Sequence, residues 1–344
     1  MTDLPAPRFL DRATPPHIVT LILLAGISAL SMNIFLPSLP GMTEYFDTEY
    51  RLMQLSVALY LAVNAALQIL MGPISDRLGR RPVILGGLAI FLLATLGCLL
   101  STNAYMFLTF RMAQATIVVA MVLSRAIVRD MVPQDQAASM IGYVTMGMTV
   151  VPMLGPALGG VLDELFGWKA NFWALFILGA LVTWLSWRDL GETAPRSGQT
   201  LRQQIADYPE LLTSQRYWGY ALATALSSGS FFAYLGGAPF VGDRVFGLEP
   251  GELGLYFGAP AIGYMMGNFV SGRFSVRIGV NRMVLWGTLF NATGISLNLA
   301  VFYAGQGSPI SFFGLMILMG LGNGMVIPNA TAGALSVRPH LAGT

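Results

Sequence analysis

Charge is scarce in this sequence, and where it collects it can do only a few things. Residues 71–85, MGPISDRLGRRPVIL, place Asp76, Arg77, Arg80 and Arg81 between long apolar stretches. Guanidinium and carboxylate groups at that spacing can pair through charge-assisted hydrogen bonds, and Asp130 offers Arg80 or Arg81 a second carboxylate. Gly72 and Gly79 lack a Cβ and so permit close approach and a sharp turn. Pro82 suits the first turn of a following helix, where the missing N–H is no loss. Gly72, Asp76, Arg77, Gly79, Arg80, Arg81 and Asp130 therefore read as a cytoplasmic latch that holds one conformer of a moving protein. The plainer reading is that these arginines only set topology and attract anionic lipid.

Arg111 sits inside an apolar run. A charge at that depth costs at least about 2.5–3.5 kcal/mol, so it is expected to face protein or water and to have a partner. No acidic residue lies deep in any apolar run, which leaves carbonyl oxygens, Gln114 or a bound substrate. The alternative is that Arg111 snorkels to the outer surface. In VPMLGPALGG, Pro152 and Pro156 remove backbone donors and bend a helix, while Gly155, Gly159 and Gly160 give it a smooth packing face. Tyr60, Asn64 and Gln68 recur every fourth residue and form one stripe. With Asn33, Ser227, Ser230, Tyr234 and Asn323 they could wall a midplane cavity suited to a bulky amphiphile. Taken singly, each reads equally well as an interhelical hydrogen bond worth about 0.6 kcal/mol.

The remaining chemistry is sparse. With Cys98 the one cysteine and His17 and His340 the only histidines, neither a disulfide framework nor a metal centre nor Ser-His-Asp catalysis is expected. No catalytic residue, metal site or cofactor is expected, and a net charge of +2 offers no basis for nucleic-acid binding. An integral membrane enzyme is opposed by the lack of any intramembrane cluster of His, Asp, Glu or Cys.

The elements that must position these groups are membrane helices. Hydrophobic residues make up 55% of the 344 and charged ones 10%, against about 25% charged in soluble proteins. A hydrocarbon core of about 30 Å needs roughly 20 helical residues. Ten apolar runs meet that length, near 17–38, 52–72, 83–101, 105–127, 137–161, 170–187, 217–238, 252–272, 283–304 and 310–331. The first 17 residues read as a retained cytoplasmic leader. With the N-terminus inside, fifteen arginines fall on the inner side, against Arg51, Lys169 and Arg244 outside.

An internal repeat sharpens the architecture. GPISDRLGRRP at 72–82 and GRFSVRIGVNR at 272–282 share Gly72/Gly272, Ser75/Ser275, Arg77/Arg277 and Gly79/Gly279 at an offset of 200. Residues 1–190 read as a six-helix bundle, 191–216 as a cytoplasmic linker, and 217–344 as a second bundle of four helices. By analogy with the first half, the second is expected to be two helices short.

These motifs resemble the major facilitator superfamily. GPISDRLGRRP is similar to its loop signature, RMAQ at 111–114 to its fourth-helix signature (with Ala115 where glycine is usual), and GPALGG at 155–160 to its fifth-helix antiporter signature. NIFLPSLP at 33–40 and SRAIVRDM at 124–131 narrow the resemblance to the Bcr/CflA-type (bicyclomycin/chloramphenicol resistance) drug/proton antiporters. The resemblance implies an all-α major facilitator fold of two pseudo-repeated bundles, with about 10 of 12 transmembrane helices present and a cytoplasmic N-terminus. It also implies a coupling role for Arg111 with Gln114. Asn33 stands where relatives often carry aspartate, and an asparagine does not titrate.

The expected function is multidrug efflux by proton antiport from the cell's inner membrane, through alternating access. A monomer is expected, powered by the proton gradient and partnered by a drug-like small molecule, protons and the bilayer. The rival readings are export of a metabolite or sugar on the same fold, or a truncated membrane protein that transports nothing.

Overall fold

Lipid offers backbone polar groups no partner, so long apolar runs must close their hydrogen bonds within themselves. The computed structural model describes residues 8–131, 140, 144, 151, 154–193 and 212–337, and every regular element among them is helical. In chain order these are α1 (Ile18–Asn33), α2 (Leu39–Tyr45), α3 (Tyr50–Leu78), α4 (Arg80–Leu100), α5 (Ala104–Gln114) and α6 (Val118–Met131). A helix over 154–166, α7, follows. Then come α8 (Lys169–Asp189), α9 (Gln215–Phe240), α10 (Pro250–Phe257), α11 (Ala259–Ile278), α12 (Val280–Tyr303) and α13 (Pro309–Leu335).

Among the described residues, seven stretches are long and apolar enough to cross a membrane: Ile18–Tyr45, Tyr50–Leu78, Arg80–Leu100, Ala104–Met131, Lys169–Asp189, Val280–Tyr303 and Pro309–Leu335. The glycines and serines of α9 and α11, with the arginines of α11, dilute their apolar character. Two details differ from the sequence reading. The first span runs past the expected end near residue 38; a 3-10 turn, Leu36–Ser38, interrupts it before α2 continues to Tyr45. The charged stretch at 72–82 is not a loop either. α3 continues through Leu78, and Gly79 alone makes the turn into α4, at φ +95°.

The chain divides into two compact units. Unit 1 comprises Met1–Gly198 with Glu249–Gly251, and unit 2 comprises Gln199–Leu248 with Glu252–Thr344. In unit 1 the outer ends of the helices are tied by an aromatic cluster. Phe107 lies 5.6 Å from Phe46, 6.1 Å from Trp168 and 5.5 Å from Phe172.

Unit 2 is held by glycines. A Cβ on Gly263 would strike the Ile317 carbonyl and one on Gly267 the Leu321 carbonyl; from the other side, Gly320 meets the Pro260 carbonyl and Gly324 the Tyr264 carbonyl. Gly322, two residues out of phase with Gly320 and Gly324, turns to α12, where its Cβ would meet the Gly287 carbonyl. One segment of α13 thus lies backbone to backbone with α11 and α12 at once, the small-residue packing that membranes favour.

The repeat extends to the backbone. Gly79 and Gly279 share their conformation (φ +95°, ψ 151° and φ +89°, ψ 146°), and each donates its N–H to the serine four residues earlier at 2.9 Å.

Candidate functional site

The latch residues assemble around Arg80. Its Nε donates to Asp130 Oδ2 at 3.1 Å, and its Nη1 reaches Asp76 Oδ1 and Ser75 Oγ, both at 2.5 Å. Three elements meet there: α3 supplies Asp76 and Ser75, α4 Arg80 and α6 Asp130. Both partners of the interhelical pair are largely covered, with 10% of the Arg80 side chain and 14% of that of Asp130 exposed. The sequence left Arg80 and Arg81 as equal candidates for Asp130; the structure selects Arg80. Arg81 instead donates through Nη2 to the Trp187 carbonyl at 3.2 Å, and Arg77 is exposed. Gly72 contributes its carbonyl, which accepts from Ser75 Oγ at 2.8 Å.

Such a covered pair is costly to break by halves, since the remaining charge is stranded. Combining Arg80→Ala and Asp130→Ala in a double-mutant cycle should show a coupling of about 1–3 kcal/mol in the unfolding free energy of the purified protein. Strict additivity would mean that the two charges act independently. The equivalent positions of unit 2 do not repeat this pair. At the offset of 200, Arg80 corresponds to Val280 and Asp130 to Ala330, and both pack in one apolar cluster with Tyr220 and Val326. Val276, opposite Asp76 in the repeat, is 96% exposed.

Arg111 is fully buried, turned into the bundle and not toward the outer surface. Its guanidinium lies between two rings, 4.4 Å from the centroid of Phe35 and 4.0 Å from that of Tyr60. Nη2 donates to the Ser31 carbonyl at 3.0 Å, and Nη1 donates to Gln114 Oε1 and faces Ser31 Oγ at 3.5 Å. Gln114 passes the chain on by donating to Thr95 Oγ1 at 2.8 Å. A 3-10 turn, Ala115–Ile117, follows Gln114 directly. Arg111 Nε is buried without a hydrogen-bond partner. Aromatic faces and carbonyl dipoles thus solvate this cation in place of a carboxylate.

The residues read as a cavity lining divide differently. Asn33 is fully buried, donates to the Ala29 carbonyl at 2.8 Å and leaves its Oδ1 without a partner. It faces α7, where a Cβ on Gly155 would lie 3.7 Å from its own. Along α3 the stripe passes from buried Tyr60 to half-buried Asn64 and exposed Gln68, whose Nε2 donates to Asn64 Oδ1 at 2.6 Å. In unit 2, Tyr234 is buried among Phe257 and Phe313, its hydroxyl 3.4 Å from the Phe257 carbonyl. Asn323 accepts from Asn291 at 2.7 Å, and Asn291 also donates to Ser230 at 3.1 Å.

In the antiporter-like stretch, Gly155, Pro156, Gly159 and Gly160 begin α7, while Pro152 lies outside the described residues. A Cβ on Gly159 would collide with the Ile34 carbonyl, so α7 crosses the interrupted part of the first span in backbone contact. Asn171 secures the crossing, donating to Ser38 Oγ at 2.9 Å and to the Gly159 carbonyl at 3.1 Å.

Sequence reasoning missed several participants. Ser31 and Thr95 carry no charge and share no spacing with Arg111, so no local signal marked them. Asn291 could have been found as an amide inside an apolar run. Asp189 and Glu192 looked like a helix end and a linker, yet Asp189 is fully buried.

Comparison with known proteins gives the family of the chain. The family model described as Major Facilitator Superfamily matches residues 21–344. A chloramphenicol resistance protein of Pseudomonas aeruginosa is 31% identical over 321 residues, covering 92% of this chain and 76% of the relative. Multidrug resistance protein D of Escherichia coli (strain K12) is 27% identical over 331 residues, covering 95% and 82%. Among solved structures, a bacterial homologue of the human lysosomal transporter Spinster, crystallised inward-facing and occupied, superposes with a TM-score of 0.71 at 20% identity, covering 94% of this chain and 77% of that one. The family match over nearly the whole length, joined to the stacked apolar helices, identifies the chain as a member of the major facilitator superfamily: a multi-pass transporter of the inner membrane, and not an enzyme.

Proposed function

We propose that the chain is a secondary active exporter of small amphiphilic drugs, driven by proton antiport through alternating access. The buried Arg111 node carries the reading. A membrane span does not keep a guanidinium without a carboxylate partner for packing alone, given what the charge costs there. The resistance phenotypes in the names of relatives that cover most of this chain support the choice of cargo. Uncharged aromatic and amide groups suit an amphiphile better than a phosphate or a sugar acid. The proton gradient is the energy source, no cofactor is needed, and the working unit is a monomer. Asn33 cannot carry the coupled proton; Asp76 and Asp130 are the described carboxylates at the latch that can.

Everted vesicles containing the wild-type chain should release protons from an acidified lumen when chloramphenicol-like or cationic amphiphilic drugs are added. A host lacking its own efflux pumps should gain resistance to at least one compound of the panel. Proton release driven by a sugar or metabolite and by no drug would replace the cargo. No flux with any compound would remove the exporter reading.

A further inference from the structure

Two carboxylates at the end of unit 1's last span bind backbone donors far away in sequence. Asp189, the last residue of α8, opposes the dipole of its own helix, because a C-terminus carries negative partial charge. It is nevertheless fully buried. Its Oδ2 accepts from the backbone N–H of His17 at 2.9 Å and from Thr20 Oγ1 at 2.6 Å, and its Oδ1 accepts from the backbone N–H of Leu10 at 2.7 Å. His17 is the N-cap of α1, so Asp189 supplies the anion that this helix start favours. Leu10 holds a left-handed backbone (φ +64°) while making its bond. The leader lies close enough that a Cβ on Gly191 would press on the Arg12 carbonyl at 2.7 Å.

Glu192 does the same for α4. The N-cap of that helix is Gly79, which has no side chain to cap with. Glu192 takes its place from across the bundle, its Oε1 accepting from the Arg80 N–H at 2.8 Å and its Oε2 from the Arg81 N–H at 3.3 Å. These first-turn N–H groups have no partner within their own helix. Arg80 is therefore held twice, by its backbone to Glu192 and by its side chain to Asp130 and Asp76. α1, fastened by Asp189, carries the Ser31 carbonyl and the Phe35 neighbourhood that hold Arg111.

We propose that Asp189 and Glu192 are positioning residues of the transport cycle, a clasp that fastens the cytoplasmic starts of α1 and α4 to the end of α8. The clasp makes the latch at Arg80 and the start of the Arg111-bearing arrangement move together. Its role in the cycle rests on the exporter reading above; its existence as a fastening does not.

The test uses the full chain in lipid nanodiscs for amide hydrogen exchange and in proteoliposomes for drug efflux. Glu192→Ala should raise exchange at Arg80 and Arg81 by about tenfold or more while the middle of α4 keeps its protection. Vmax should fall about tenfold with KM unchanged within about twofold. Glu192→Gln, which keeps an acceptor oxygen, should recover part of both effects. Asp189→Asn should act likewise at Leu10 and His17; if it fails to insert, the Glu192 pair decides. Unchanged exchange overturns the clasp. Raised exchange with normal Vmax overturns its part in the cycle, and a KM that rises with the loss would make these drug-contacting residues instead. A wild type that exports no drug defeats the exporter reading, while the exchange arm still supports or overturns the fastening.

Discussion

Arg111→Ala is expected to bring drug efflux down to background, a loss of about 100-fold or more, while the protein still inserts into the membrane at the normal level. Insertion is spared because the substitution removes a fully buried charge whose place in the apolar part of this span lipid opposes. Activity is lost because no other group offers a cation between the Phe35 and Tyr60 rings, at 4.4 and 4.0 Å. Arg111→Lys separates charge from shape. A lysine keeps the positive charge but lacks the planar fork that stacks between rings while donating to the Ser31 carbonyl and to Gln114, so it should recover little, remaining about tenfold or more below wild type. Vesicle efflux assays beside quantified membrane protein read both variants. A lysine variant with full activity would mean that charge alone matters at this position, and an alanine variant with full activity would leave the buried cation without a transport role.

The second large effect concerns the fold. Gly159→Ala should destabilise the protein by about 1–3 kcal/mol or more, because the added methyl would enter the Ile34 carbonyl, a backbone atom that cannot step aside. Relief requires α7 to move away from the first span, and the Asn171 bridge to Ser38 and to the Gly159 carbonyl would go with it. Gly155→Ala, four residues earlier on the same face, has its one tight contact with the end of the Leu30 side chain at 3.3 Å, with the Asn33 Cβ and Ile34 N at ordinary distances of 3.7 and 3.8 Å, and should cost under about 0.5 kcal/mol. Thermal unfolding of the two purified variants, followed by tryptophan fluorescence or by size-exclusion after heating, compares them directly. Equal melting of both would show that α7 does not depend on this contact.

The Gly155/Gly159 contrast also shows what a motif conveys. GPALGG signals close packing through its composition, but the two glycines are equivalent in sequence and differ in space. Only the approach of Ile34 makes one of them indispensable. The same holds for Gly320, Gly322 and Gly324 of α13. Their two-residue phase becomes informative once α11 and α12 are seen on opposite sides.

At the latch, the residue types were legible and the pairing was not. Asp76 and Arg80 are only four residues apart, on either side of the Gly79 turn, and lie 2.5 Å apart. Asp130 is fifty residues away, and either arginine could have met it. The direction of α4 out of Gly79 settles the matter, sending Arg80 inward and Arg81 toward the Trp187 carbonyl. Asp189 and Glu192 were invisible for a related reason. Their partners are backbone N–H groups, which every sequence has, at separations of 172 and 112 residues.

The sequence by itself determined that this chain lives in a bilayer as helices, which side its arginines keep to, and that its front half is echoed 200 residues later. Those properties are sums over local composition, and the transfer of apolar surface and charge between water and lipid reads them directly. Tertiary structure alone decided which glycine is pressed against a carbonyl, which arginine holds Asp130, and which rings and which carbonyl join Gln114 around Arg111. Such choices depend on the distance and angle between segments distant in the chain. Hydrogen bonds and close packing act over a few ångströms, and no local run of residues encodes which segments come within that range.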